Sequence, residues 1–259
     1  MVEVAIQEAD VADNYMNDIK KIVKDSYGKI AIQNSSCCGG NSCCGGGNFD
    51  NIGKIIGYSD SQLANVPSGA NLGLGCGNPF AISSLKKGDV ILDLGSGAGF
   101  DSFLASRQVG DTGKVIGVDI TPEMVSKAKE IAVKGNVKNV EFRLGDIEAL
   151  PVDDDSIDVI ISNCVINLAP DKEKVFKEAY RVLKIGGRLM ISDVVLSKEL
   201  PEDIKDDEKL LIGCVSGAIL KEDYLKLLSK AGFSKITISK ETPMFLENYG
   251  LSITFSAVK

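Results

Sequence analysis

Seven cysteines and no histidine set the chemistry open to this 259-residue chain. Without imidazole there is no usual general base, no usual zinc ligand and no Ser-His or Cys-His nucleophile pair. The thiols are Cys37, Cys38, Cys43, Cys44, Cys76, Cys164 and Cys214. In a cytosolic chain an odd number of them points to metal binding, redox work or burial rather than a disulfide framework. A second feature concerns ligand binding. Val90 to Leu94 is an apolar run leading straight into Gly95-Ser96-Gly97-Ala98-Gly99, which reads as a buried strand entering a turn whose backbone can adopt positive φ and approach a ligand closely. The next apolar run, Lys114 to Val118, ends in Asp119, a carboxylate placed to accept from ribose hydroxyls. These residues predict a nucleotide-like ligand.

The glycine spacing is G-x-G-x-G, with Phe100 where a dinucleotide-binding turn would carry its last glycine. That argues against a diphosphate. S-adenosylmethionine fits better, with a ribose for Asp119 and an amino-acid end for the glycine backbone and Asp93. Here the chain resembles the class I methyltransferases. Asp146-Ile147-Glu148, after a third strand and facing the adenine amino group, and Ile157 to Asn163 as a fourth strand extend the resemblance. It implies a cofactor site of Asp93, Gly95, Ser96, Gly97, Asp119, Ile120, Met124, Asp146, Ile147 and Asn163. Some of these have a second reading: Asp93 can simply cap the turn that follows it, and Met124, third in its helix, can be core. Tyr27 either closes the pocket over the methionine end or packs at a helix end.

The elements around these residues follow from periodicity. Tyr15, Ile19, Ile22 and Val23 recur at helical spacing and predict an amphipathic helix from Val11 to about Tyr27-Gly28. Asn34 to Asn48 duplicates Ser-Cys-Cys-Gly-Gly with nothing to bury, and is expected to be a mobile loop. Ser59-Asp60-Ser61-Gln62 opens a short helix, and Asn78-Pro79 caps a segment from Phe80 to Leu85. Then come a helix from Asp101, the strand to Asp119, a helix capped by Thr121-Pro122, strands Val140 to Leu144 and Ile157 to Ser162, a helix from Asp171 to Leu183 and a strand from Arg188 to Ser192. A helix around Tyr224 to Ala231 and strands at Ile236 to Ser239 and Leu251 to Val258 close the sheet, after a charged run, Glu202 to Lys209, read as a solvated face. This order predicts an α/β fold with a doubly wound, mostly parallel, seven-stranded Rossmann-like sheet. The expected divisions are an N-terminal helix and Cys/Gly-rich loop over 1–66, a cofactor-binding core over 67–196 and a C-terminal segment over 197–259. The net charge of −7 and the lack of Lys/Arg clusters with interleaved aromatics exclude nucleic acid, and no run of eighteen apolar residues suggests a membrane span. A soluble, cytoplasmic protein is expected.

The cysteines narrow the resemblance. Cys164 follows the fourth strand, at the carboxyl edge where doubly wound folds open their ligand crevice; taken alone it is as readily a small buried hydrophobe. Cys76 and Cys214 are flanked by glycine or small residues on connections, where packing alone predicts apolar neighbours. The motifs Gly73-Leu74-Gly75-Cys76-Gly77-Asn78-Pro79, Ser162-Asn163-Cys164-Val165-Ile166-Asn167-Leu168 and Gly213-Cys214-Val215-Ser216-Gly217-Ala218 resemble those of the arsenite methyltransferases, the second being highly specific, and the likeness runs from about Tyr27 to about Phe233. It implies As(III) held by thiolates of Cys76, Cys164 and Cys214, with one more N-terminal cysteine in thiol exchange. Cys44 is taken as that residue, with Cys37, Cys38 and Cys43 left open beside it. The implied reaction is arsenic detoxification, converting arsenite and methylarsenite to methylated arsenicals with S-adenosylmethionine and a thiol reductant of thioredoxin or glutathione type.

The chemistry agrees. As(III) is soft and thiolate is the soft ligand available. Three thiolates leave a lone pair on arsenic, so methyl transfer needs no general base. Three other readings remain: zinc or an iron-sulfur cluster on the paired cysteines, for which adjacent thiols are awkward; a carbon or oxygen methyltransferase of a small molecule; and a thiol protein that sequesters metalloids without turnover.

Overall fold

The computed structural model describes residues 2–33, 49–79, 85–201, 215, 217–244 and 249–259, with side chains from Asn14 onward. Helices α1 (Val2–Gln33), α2 (Phe49–Ile56) and α3 (Asp60–Ala64) precede the alternating core of β1 (Val90–Leu94), α4 (Phe100–Val109), β2 (Lys114–Asp119), α5 (Pro122–Lys134), β3 (Val140–Leu144), β4 (Ile157–Asn163), α6 (Lys172–Val182) and β5 (Leu183–Leu196). A 3₁₀ turn, Ile166–Leu168, follows β4, and α7 (Lys221–Ala231), β6 (Ser234–Pro243) and β7 (Gly250–Val258) complete the chain. The strands form one seven-stranded sheet in the order β3-β2-β1-β4-β5-β7-β6. β1 to β5 run parallel, and β7 enters antiparallel to both β5 and β6. The expected doubly wound, mostly parallel architecture is what the protein has.

The apolar runs form strands because both faces of the sheet are covered. Alternate residues of β1 serve opposite layers: Leu92 and Leu94 pack with Phe176 of α6 and Tyr224 of α7, while Ile91 packs with Leu104 and Val109 of α4. All three strand residues are fully excluded from solvent. Order reverses at β1, which pairs with β2 on one side and β4 on the other. Connections leaving β1 and β4 therefore diverge, and a crevice opens at their carboxyl ends.

Local chemistry sets several helix starts. Ser59 accepts from Gln62 N while the Gln62 side chain accepts from Ser59 N, a reciprocal cap on α3. Asp171 accepts from Lys174 N at the start of α6. Pro122 opens α5 as expected, but Thr121 makes no side-chain cap.

Three expectations are corrected. α1 continues through Gly28 to Gln33 instead of ending near Tyr27-Gly28, because Ile30 and Ala31 are buried against Val125, Ala128 and Ile131 of α5 and that burial outweighs glycine's cost of about 1 kcal/mol in a helix. Tyr15, placed on the apolar stripe, is 61% exposed, whereas Val23 is buried. β5 extends from Leu183 to Leu196 rather than Arg188 to Ser192, since it already pairs with β4 at Ile157↔Leu183 and with β7 continuously from Arg188↔Val258 to Leu196↔Gly250. The Asn34–Asn48 loop, the Phe80-to-Leu85 segment up to residue 84, and the run from Glu202 to Lys209 lie outside the described residues.

Leu94→Ala, at the end of β1, is expected to lower unfolding free energy by about 3 kcal/mol, and Asp171→Ala, at a surface cap, by about 1 kcal/mol. Urea unfolding of both variants checks the ranking. Equal losses would contradict a core centred on β1.

Candidate functional site

A cavity of about 910 Å³ opens at the carboxyl ends of the parallel strands. One end is lined by Asp93, Gly95, Ser96, Gly97, Asp119, Ile120, Asp146 and Ile147, and the other by Cys76, Asn163 and Cys164. At the first end Asp119 terminates β2 and accepts from Gly97 N at 2.9 Å and Thr121 N at 2.8 Å. Two backbone donors thus fix its carboxylate in the cavity wall, leaving lone pairs for a diol. Burial raises its pKa, and those backbone bonds oppose the rise. Asp93, at the end of β1, accepts from Ser102 Oγ at 2.6 Å. Burial foremost, then the negative charge of Asp101, push its carboxyl well above 3.8. The Ser96 hydroxyl is buried with no hydrogen-bond partner among the described residues, and a Cβ added to Gly97 would meet nothing within 4 Å. A ribose-bearing ligand fits this open, glycine-lined end. Asp146 accepts from Glu148 N and from Lys20 Nζ at 2.7 Å, so α1 is latched across the rim. Met124 is instead fully buried among Phe103, Ala128 and Phe142, away from the cavity lining, and Tyr27 lines the cavity, half-buried.

At the second end the thiols converge. Sγ of Cys76, Sγ of Cys164 and a carboxylate oxygen of Asp193 lie within 4.8 Å of one another. Cys164 follows β4 in the left-handed region with φ +60°, and donates its N–H to Ser192 O at 2.8 Å. Cys76 sits between two glycines because the backbone is pinched on both sides: a Cβ at Gly75 would lie 2.8 Å from the Asn163 amide, and one at Gly77 2.8 Å from Ser192 Cβ. Ser252 Oγ donates to Cys76 O at 2.8 Å, and Cys76 Sγ reaches Ser192 O at 3.7 Å.

Cys214 and Cys44, with Cys37, Cys38 and Cys43, lie outside the described residues. Val215, next to Cys214 in sequence, is buried in the cluster against which Cys76 and Cys164 pack. Sequence reasoning missed three contributors. Asp193 lies just past the last β5 residue paired with β4, accepts from Val194 N at 2.8 Å, Asn167 Nδ2 and Tyr224 Oη at 3.1 Å, and is pushed by burial to about 7. Its place at the carboxyl end of a parallel strand was the available signal. Asp101 accepts from Tyr58 Oη at 2.5 Å and from Asn163 Nδ2 at 3.2 Å, and burial raises it to about 6. Nothing in the local sequence marks Tyr58 as its partner.

Known proteins share this sequence and fold. The family described as a methyltransferase domain matches residues 85–232. An arsenite methyltransferase of Halobacterium salinarum is 47% identical over 240 residues, covering 90% of this chain and 61% of its own length. Another, of Aquipseudomonas alcaligenes, is 40% identical over 191 residues, covering 71% and 53%. Among solved structures, CrArsM, an arsenic(III) S-adenosylmethionine methyltransferase of Chlamydomonas reinhardtii, superposes with a TM-score of 0.66 at 32% identity, over 80% of this chain and 73% of that one. The chain belongs to the arsenite methyltransferase family. It spans about three fifths of the length of the Halobacterium member and about half of the Aquipseudomonas one. Within this arsenite methyltransferase fold, the matched methyltransferase domain reaches from just before β1 to just after α7, so it includes the glycine turn and Cys164 but begins after Cys76.

Two measurements test this geometry. Stability that the protonated Asp101 confers is complete below the ordinary value of 3.8 and lost once pH rises past about 6. At about 1.4 kcal/mol per pH unit, that is a fall of roughly 3 kcal/mol between those limits. Urea melts across pH 4 to 7 are expected to show this fall in the parent protein and a flatter profile in Asp101→Asn; parallel profiles would remove the buried acid from the account. Cys164→Gly is expected to be about 1 kcal/mol more stable than Cys164→Ala, because only glycine takes the left-handed backbone without strain. Thermal melts of the pair decide it.

Proposed function

We propose that this protein transfers a methyl group from S-adenosylmethionine to trivalent arsenic bound by Cys76, Cys164 and Cys214, as part of arsenic detoxification in the cytoplasm. The observation that carries the reading is the convergence of Cys76 and Cys164 in the cavity that the Gly95–Gly99 turn and Asp119 also line. Burial of Val215 beside the two thiols supports Cys214 as the third. In this reading Asp119 holds the ribose, Asp146 and Ile147 border the adenine, and Asp93 with the glycine backbone takes the amino-acid end. S-adenosylmethionine supplies an electrophilic methyl on a sulfonium sulfur. The core, 67–196, carries that site, and 197–259 adds the third thiol and the closing strands.

What the chain contributes is position. Arsenous acid exchanges its hydroxyls for thiols, each thiol proton leaving with a hydroxyl as water when the As–S bond replaces As–O, and three sulfurs leave arsenic with one exposed lone pair. Holding that lone pair at the cavity, in a space cleared of water, converts a bimolecular encounter into an intramolecular one. No proton leaves the nucleophile, which is why a chain without histidine suffices. The lone pair forms the As–C bond and S-adenosylhomocysteine departs with the C–S electron pair. Arsenic is then formally pentavalent. Two thiols, oxidised to a disulfide, return two electrons to it, and this is the step assigned to Cys44 or its neighbours Cys37, Cys38 and Cys43, with a thioredoxin- or glutathione-type reductant reopening the disulfide. Methylarsenite, the product of one round, is a substrate for the next.

The test is a mass-spectrometric assay with arsenite, S-adenosylmethionine and thiol reductant that follows methylated arsenic and S-adenosylhomocysteine together. Both are expected in step. Cys76→Ser and Cys164→Ser are expected to lower the rate by at least about 100-fold while leaving cofactor binding intact. Arsenic bound without either product would make the protein a sequestering module, and cofactor turnover on an organic acceptor alone would make it a different methyltransferase.

A further inference from the structure

The two described thiols are 88 positions apart in the chain, one on a loop and one at a strand end. Something must set their separation, and the contacts around Asn163, the last residue of β4, meet that need. Its Oδ1 accepts from Cys76 N at 3.1 Å and its Nδ2 donates to Gly77 O at 2.9 Å. The amide thus grips the Cys76 backbone on both sides of the thiol-bearing residue, as a neighbouring strand would. Nδ2 also contacts Tyr58 Oη at 3.0 Å and Asp101 Oδ2 at 3.2 Å. Because Tyr58 Oη donates to Asp101 Oδ1, this pair fixes which way the amide faces. Gly75, at φ +109°, gives the close approach: a Cβ there would stand 2.8 to 3.0 Å from Nδ2, Oδ1 and Cγ of Asn163. Both N–H bonds of the amide are engaged by the protein, so its donors are committed to the loop rather than to a cofactor.

We infer that Asn163 is a positioning residue for arsenic binding: its amide fastens the Gly75-Cys76-Gly77 loop to the strand end that carries Cys164 and so sets the spacing of the two thiols. This rests on Cys76 and Cys164 being arsenic ligands. Residues that orient ligands from outside the coordination sphere typically change metal affinity by about 10- to 100-fold when removed, and Asn163 stands in that relation to both thiols. Two independent changes perturb the same contact. Asn163→Ala removes the grip, and Gly75→Ala pushes a methyl against it from the loop side.

Equilibrium dialysis with arsenite, read by arsenic mass spectrometry, and calorimetry with S-adenosylmethionine are run on the parent protein, Cys164→Ser, Asn163→Ala, Gly75→Ala and the double variant. Tight arsenite binding that Cys164→Ser loses is the precondition, and its failure overturns the ligand assignment itself. Given that, Asn163→Ala is expected to weaken arsenite by at least about tenfold with cofactor affinity unchanged, and the double variant to be less than additive by the part of the Gly75→Ala loss that comes from the methyl meeting the amide rather than from strain at φ +109°. Unchanged arsenite affinity in Asn163→Ala, strict additivity, or a loss confined to cofactor affinity each overturns the proposal. Iodoacetamide labelling of Cys76 and Cys164 separates misplacement from unfolding: rates near the parent's are expected, and both rising together would show that Asn163 merely holds the fold.

Discussion

Everything at the site depends on two strand ends lying side by side with no side chain on the residue that leaves the first. β1 and β4 pair in parallel with Leu94 opposite Ser162, so the turns leaving them collide unless one is bare. Gly95 is that position: its φ is +64°, and a Cβ would fall 2.3 Å from Val165. A void here, or a bulky residue, would separate the glycine turn from the thiol turn. With glycine, Val165 packs beneath the turn and Cys164 opens onto the same cavity as Asp119. β5 completes the arrangement from the other side, since Ser192 O takes the Cys164 N–H and lies against Cys76 Sγ. Three adjacent strand ends therefore carry both halves of one site.

The electrostatics of that site follow from burial rather than from surface charge. Asp93, Asp101 and Asp119 are each almost excluded from solvent near the turn, and Asp193 lies beside the thiols. Removing a carboxylate from water disfavours its charged form, which is why all four are raised. Each is held by donors: Ser102 for Asp93, Tyr58 for Asp101, backbone amides for Asp119 and Tyr224 for Asp193. A cation bound in a cleft built from such groups favours their ionised forms and is stabilised by them in turn. On the proposed reading the sulfonium and ammonium of the cofactor supply that cation, while neutral arsenous acid enters without electrostatic penalty.

How much of this was legible in the residues depended on the range of the interaction responsible. β1, β2 and β4 were readable because a strand covered on both faces is apolar over most of its length, and Asp119 because a carboxylate ends an otherwise apolar run. The glycines around Cys76 were readable as a departure from what packing alone predicts, though not what approached them. The end of α1 was misjudged because Gly28 is a local stop signal and the burial of Ile30 against α5 is not local. The length of β5 was hidden for the same reason, its partner β7 lying some sixty residues on. Tyr58, Asp101 and Asn163 form one network across gaps of 43 and 62 positions with no shared period, and no pattern on the chain could have joined them.

Cys164 shows how that network bears on the chemistry. A non-glycine residue at φ +60° costs on the order of 1 to 2 kcal/mol, and persists only where its surroundings leave no alternative. Those surroundings are specific: Asn163 before it is pinned by the Cys76 loop and the Tyr58–Asp101 pair, Val165 after it fills the space under Gly95, and its own N–H is bound by Ser192. With both neighbours fixed, the backbone must turn within one residue. Glycine would make that turn without strain, and packing alone would have no reason to prefer a thiol there. On the proposed reading the strain at this position is offset by what the thiol binds, and the fixed neighbours on either side hold that thiol at the cavity wall.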